Sequence, residues 1–251
     1  SHAHVHCAWR SGRALSPGND QAPGNVMADD IQASRETLYG EKTAGYFSGA
    51  RHDMVALLGT GPDAHILEIG CGEGATGAAA FAAGKAAHYT GIELMPEVAE
   101  QAREHLSDVI TANVEQFDLT PFHGRFDALI MSEVIEHLVD PWDAVARLLA
   151  CVKPGGEIIA SSPNVAHRRV IRDLIAGRFE YANEGVMDRT HLRWFTPQSY
   201  RALFENAGCI NVRVMPIRRP GLLPRLFNQL TGQRYAHLSM TQIMVHARKA
   251  V

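Results

Sequence analysis

The chain has four cysteines, Cys7, Cys71, Cys151 and Cys209, spread so widely that no C-x-x-C pair forms. This excludes a disulfide-stapled secreted scaffold, and a reduced, cytoplasmic setting is expected. No uninterrupted apolar run approaches the ~20 residues that a membrane helix needs. No signal peptide is visible either, so neither a transmembrane segment nor export is expected. No segment recurs at a fixed period, which excludes a solenoid or a propeller.

What remains is ordinary in bulk. At 251 residues, 46% hydrophobic and 20% charged, the composition suits one α/β domain with a sizeable core and some decoration. The net charge of −3 conceals a polarity. Residues 163–251 hold 14 Lys and Arg against 5 Asp and Glu, so +9, and the first 162 residues carry −12. A basic C-terminal third points to an anionic acceptor or an anionic surface nearby, or else to a solvated face.

The most informative stretch is His65-Ile66-Leu67-Glu68-Ile69-Gly70-Cys71-Gly72-Glu73-Gly74, followed by Gly91-Ile92-Glu93. An apolar run stops at a glycine turn, a small-residue helix spans 75–83, and a second strand, 88–92, ends in a carboxylate. That order holds a nucleoside at the carboxyl edge of a parallel sheet. Gly70 and Gly72 let the backbone approach a ligand, and the helix N-terminus offers unpaired amides. Glu93 is set to accept ribose hydroxyls. The spacing is G-x-G-x-G, not the G-x-G-x-x-G of dinucleotide binders. Glu68, two residues before the first glycine, suits a positively charged ligand better than a pyrophosphate.

Strand and helix alternate after that, which predicts βαβ units. Residues 1–30 read as a flexible arm, with His2, His4, His6 and Cys7 an incidental cluster. One domain is expected over 31–251. A helical pattern covers 34–58, in which Tyr39 and Tyr46 are expected to pack, the alternative being a reach to the ligand. Helices are expected over 98–106, with Pro96 at the helix start, over 142–150, and from Thr196 to Asn206. Strands are expected over 126–131 and 157–161, with an antiparallel closing pair at 209–217 and 240–246. Two insertions, about 163–193 and 218–238, fall near the ligand-bearing edge. The second mixes leucine with arginine. It reads as a pocket lid with its leucines turned inward, the alternative being contact with a membrane surface or a lipid-linked acceptor.

In order, Glu93, Asn113-Val114-Glu115, Phe126-Asp127-Ala128-Leu129-Ile130 and Lys153-Pro154-Gly155-Gly156 follow the glycine turn. Over 68–208 this chain resembles a class I S-adenosylmethionine-dependent methyltransferase. The resemblance implies a Rossmann-like fold: a seven-stranded, mostly parallel sheet with helices on both faces and a substrate-cap insertion. It also implies S-adenosyl-L-methionine as cofactor. Glu68, Gly70, Gly72 and Ser132 would then lie about its methionine end, with Glu93 at the ribose and Leu94, Asn113 and Val114 at the adenine. Asn113 stands where relatives often carry Asp.

Ser132-Glu133-Val134-Ile135-Glu136-His137-Leu138 follows the fourth strand. If a helix starts at Glu133, then Glu133, Glu136 and His137 share one face. Two carboxylates and an imidazole there make a divalent-metal site or a base with its orienting partners. The bland alternative is a helix start whose acids complement its N-terminus. The motif resembles that of ubiquinone-type O-methyltransferases and of small-RNA 3′-end 2′-O-methyltransferases. In the latter, both acids, the histidine and a further histidine bind a cation, and His191 matches that last position. The resemblance thus implies Glu133, Glu136, His137 and His191 as ligands of Mg²⁺, Mn²⁺ or Fe²⁺. Without metal, Glu133, His137 and His191 carry the acid–base chemistry. His167 and Arg168 either line the same pocket or lie on the surface.

The stretch from Ser162-Pro163-Asn164 to Asp188-Arg189-Thr190-His191-Leu192-Arg193-Trp194-Phe195-Thr196 looks more like methyltransferases of sugar and polysaccharide biosynthesis. The expected acceptor is therefore a hydroxyl of a sugar, nucleotide sugar or glycolipid. Nucleic acid is not the expected partner, because no separate RNA-binding domain is present. The competing readings are the small-RNA methyltransferase and a non-catalytic cofactor-binding subunit. Pairing into a homo-oligomer through the insertions is a further expectation.

Overall fold

Alternation of buried apolar residues builds one sheet. Its strands are β1 (His65–Ile69), β2 (His88–Glu93), β3 (Asp108–Thr111), β4 (Phe126–Ser132), β5 (Val152–Pro163), β6 (Cys209–Pro216) and β7 (Gln242–Lys249). They lie in the order β3-β2-β1-β4-β5-β7-β6. The first five pair in parallel, and β7 is antiparallel to both its neighbours. This computed structural model describes residues 48–251, all within one compact unit. The arm at 1–30, the His2, His4, His6 and Cys7 cluster, Tyr39, Tyr46 and the start of the helical pattern at Ser34 lie outside the described residues.

Helices cover both faces. They are α1 (His52–Val55), α2 (Ala75–Ala82), α3 (Pro96–Ala102), α4 (Pro141–Cys151), α5 (Arg168–Ile175), α6 (Pro197–Asn206) and α7 (Leu222–Leu230). On one side Ile66, Ala128, Ile130 and Ile159 pack with Met54, Val55, Ala80 and Ala102 of α1–α3. Their strand neighbours Leu67, Leu129, Met131 and Ile158 point the other way, into Val145, Leu148, Leu149, Tyr200, Leu203 and Phe204 of α4 and α6. Period-two alternation therefore gives a two-sided core. Each fully buried leucine or isoleucine contributes about 1.5–3 kcal/mol.

Local chemistry sets the helix ends. Asp140 accepts from the amides of Trp142 and Asp143 at 3.1 and 3.0 Å, with Pro141 next in line. Thr196 and Ser199 form a capping box ahead of α6. The third helix starts at Pro96, as expected, where proline's fixed φ suits a first turn. It ends at Ala102, short of the expected Leu106.

One expectation is overturned. The leucines of the second insertion do not pack inward: Leu222, Leu223 and Leu230 are about four-fifths exposed. Among the described residues no helix is long and apolar enough to cross a membrane.

Candidate active site

Strand order reverses between β1 and β4, so the crevice for a ligand opens at the carboxyl ends of these strands. Around it stand the glycine turn after β1, Glu93 at the end of β2, Ser132 at the end of β4 and Ser161 in β5. Gly70 and Gly72 have φ of 67° and 54°, where glycine is favoured. A Cβ on Gly70 would also sit 2.6 Å from a methyl of Val134. The turn is tied down by the Gly70 amide, which donates to the Ile92 carbonyl at 2.8 Å.

Glu93 is buried and already holds the backbone. Its Oε2 accepts from the Gly72 amide at 3.0 Å, and its Oε1 from the Leu94 and Met95 amides at 2.8 and 3.0 Å. A carboxylate accepts about four hydrogen bonds, so one position remains for a hydroxyl. Burial raises the Glu93 carboxyl, and the three amides oppose that rise. Glu68, also buried, accepts from the Tyr89 hydroxyl at 2.9 Å. Desolvation pushes its pKa up to about 8. Asn113 Oδ1 accepts from the Glu115 amide at 3.0 Å. Val114 is buried and Leu94 half-buried.

Arg51 went unnoticed in the sequence. Its guanidinium forks onto Asp53 through two bonds of 2.9 Å and reaches Ser132 Oγ and, at 3.0 Å, Ser161 Oγ. It thereby sets a cation beside the ends of β4 and β5, close enough to favour the charges of Glu133 and Glu68. No spacing signal marks it: it is one arginine before a four-residue helix.

The expected helix from Glu133 is absent. β4 ends at Ser132, Glu133 takes a left-handed φ of 53°, and a single 3₁₀ turn covers Ile135–His137. Glu136, His137 and His191 nevertheless converge, with one ligand atom of each within 4.8 Å of the others. Glu133 does not join them at that distance. Its Oε2 accepts from Gln242 Nε2 at 3.2 Å, and its Oε1 meets no well-formed donor among the described residues, although the Ser161 hydroxyl lies close enough to favour the carboxylate's charge.

Main-chain carbonyls orient both imidazoles. His137 Nδ1 lies 3.1 Å from the Thr190 carbonyl, and His191 Nδ1 lies 3.1 Å from the Val186 carbonyl. A carbonyl only accepts, so each Nδ1 carries the proton and the lone pair of a neutral ring falls on Nε2. The rings meet edge to face at 4.8 Å between centroids. The Asp188 carboxylate accepts from the Thr190 amide and hydroxyl at 2.9 and 2.8 Å, shaping the turn that carries His191. The Glu136 carbonyl accepts from the Leu192 and Arg193 amides at 2.8 and 3.0 Å, which locks that turn onto the end of β4.

Glu136 is 1% exposed, and neither of its carboxylate oxygens meets a well-formed donor among the described residues. The neighbouring Ser162 hydroxyl is likewise without one, though it lies close enough to favour the charge. Desolvation and the nearby Glu133 hold the Glu136 carboxyl well above its usual range. His167 instead caps α5, its Nδ1 accepting from the Arg169 amide at 3.4 Å.

The chain matches the family described as a methyltransferase domain over residues 39–214. A ubiquinone biosynthesis O-methyltransferase of Aromatoleum aromaticum is 30% identical over 196 residues, covering 74% of this chain and 78% of that protein. One of the same name from Xanthomonas campestris pv. campestris is 35% identical over 121 residues, 45% of this chain and about half (49%) of the relative. A solved structure of a SAM dependent methyltransferase from Archaeoglobus fulgidus superimposes with a TM-score of 0.59, over 90% of this chain and 100% of its own. Its identity of 16% makes that a likeness of fold.

Proposed function

This chain belongs to the methyltransferase-domain family, and we propose that it carries a methyl group from S-adenosyl-L-methionine to a hydroxyl oxygen of a small, anionic, sugar-type acceptor. One observation carries the chemistry: a buried carboxylate, Glu136, with no well-formed hydrogen-bond donor among the described residues, beside two imidazoles whose Nδ1 protons are already committed. Oxygen as the methylated atom is supported by relatives named O-methyltransferases. The sugar reading rests on the resemblance over 162–196 and on the +9 charge of residues 163–251. A second reading, a ring hydroxyl of a ubiquinone precursor, is favoured by the names of those relatives.

The donor, when bound, supplies an electrophilic methyl on a positive sulfur. The chain's residues hold and align it. Gly70 and Gly72 keep side chains away from its amino-acid end, where Arg51 offers a cation for a carboxylate and Glu68 an acid for an ammonium or sulfonium. Glu93 has one acceptor position left for a ribose hydroxyl, and Leu94, Asn113 and Val114 flank the base.

The acceptor hydroxyl must lose a proton as it attacks, and alignment alone does not provide that. His137 or His191 takes it at Nε2, with the ring fixed by its carbonyl. Glu136 then stabilises the imidazolium. The same three side chains fit a divalent cation: a buried carboxylate without a well-formed donor among the described residues, and two imidazoles with carbonyl partners behind them. Their mixed oxygen and nitrogen donors suit Mn²⁺ or Fe²⁺ best, with Mg²⁺ next. Such a cation would lower the pKa of the acceptor hydroxyl.

Labelled donor offered with a panel of nucleotide sugars, glycolipids, phenols and short RNAs tests the acceptor. Label in an ether on a sugar is the expected result. Label on a phenol favours the second reading, and label on nitrogen overturns both. Chelation separates the two forms of the chemistry: activity lost in EDTA and restored by Mn²⁺ supports the cation, and full activity in EDTA leaves the histidine base.

A further inference from the structure

The connection between β6 and β7 leaves and rejoins the sheet at the edge where β5 ends, since Pro216 pairs with Ile243 and Pro163 with Gln242. α7 stands on that connection, and its apolar residues face solvent. Leu222, Leu223, Leu226, Phe227 and Leu230 are 83, 81, 55, 52 and 79% exposed. Their spacing gathers them on one side of the helix. Asn228 falls on the opposite side, is buried, and donates to Ser239 Oγ at 3.2 Å. Behind it, Asn164 Nδ2 donates to the carbonyls of His237 and Met240 at 2.8 and 2.7 Å. The helix is therefore fastened by its polar side and presents its leucines outward.

Charge selects the occupant of that face. Arg218, Arg219, Arg225 and Arg234 lie on or beside α7, and from Asn206 to Val251 the chain has no Asp or Glu. Exposed apolar residues framed by arginine alone match an anionic lipid surface, which takes up the leucines and pairs the guanidinium groups with phosphates. A second copy seated on this face by two-fold symmetry would set the same arginines against each other. We propose that α7 is an interfacial anchor whose leucine face enters the headgroup region of an anionic phospholipid bilayer. This holds whichever hydroxyl is methylated, because it rests on the surface of α7 and its flanking arginines alone.

Co-sedimentation of the full chain with vesicles tests it. Vesicles of equal parts phosphatidylcholine and phosphatidylglycerol should pull the protein down, and vesicles of phosphatidylcholine alone should retain far less. Neutralising Arg218, Arg219 or Arg225 to Gln should weaken partitioning about fivefold each. The double variant Leu226→Glu, Leu230→Glu should weaken it at least about tenfold. Both positions are exposed, so the variant's melting temperature and its affinity for S-adenosylhomocysteine should match the parent. The proposal is overturned if the parent ignores anionic vesicles, or if the double variant sediments like the parent. It is equally overturned if the parent, indifferent to vesicles, forms a concentration-dependent dimer that the double variant cannot form.

Discussion

His137 and His191 show how much of a proposed mechanism depends on single atoms. Because each Nδ1 is spent on a carbonyl, Nε2 is the nitrogen left to act in the proposed mechanism, and truncating either ring would remove the proposed base or ligand while sparing the donor cradle. His137→Ala should lower kcat by about 10²–10⁴-fold. Titration calorimetry with S-adenosylhomocysteine should give unchanged affinity, and a variant with parental turnover would remove His137 from the chemistry. Glu68 makes a prediction about pH. Below about 4.5 its carboxyl is protonated whether folded or not, and between there and about 8 only the folded state keeps the proton. The folded state then binds more protons, so its contribution to stability falls as pH rises through that window. Glu68→Gln should remove this slope, which melting temperatures across the window would reveal. Such single-atom roles are only partly legible in a sequence. Glu93 was visible because it ends a strand at a fixed distance from the glycine turn. Its three backbone amides were not, and Arg51 carried no pattern at all.

At the scale of elements, local signals located the helices better than their ends. Thr196, Pro197 and Ser199 announced α6, and the capping box is present. Thr196→Ala should cost about 1 kcal/mol, seen as a lowered melting temperature with the donor site intact. The turn after β4 was misread for an identifiable reason. Residues at i, i+3 and i+4 share a helical face, yet Glu133 adopts a left-handed φ and leaves only a 3₁₀ turn behind it. Periodicity reports which residues lie near one another and cannot report a single backbone angle. Glu136, His137 and His191 still converge, held by the Leu192 and Arg193 amides on the Glu136 carbonyl, a contact across more than fifty residues that no local pattern encodes.

For the whole molecule, the seven-stranded sheet was legible through the resemblance that its ordered motifs carry, and the closing antiparallel pair through the strand-like runs near 209–217 and 240–246. By contrast β3, with no fully buried residue, gives no core signal of its own. The direction in which α7 faces was not legible, because a leucine stripe reads the same whether it turns toward the protein or away from it. The charge polarity of the chain, −12 before Pro163 and +9 after Ser162, bears on kinetics. Salt screens exposed charges beyond about 8 Å at physiological strength. With an anionic acceptor, raising the ionic strength should increase its KM several-fold and leave kcat unchanged. An unchanged KM would mean that the arginines take no part in acceptor capture.

The carbonyls of Val186 and Thr190 that anchor the two rings both belong to the segment inserted after β5. Replacing that segment would therefore release the orientation of both rings at once, although His137 itself stands outside it.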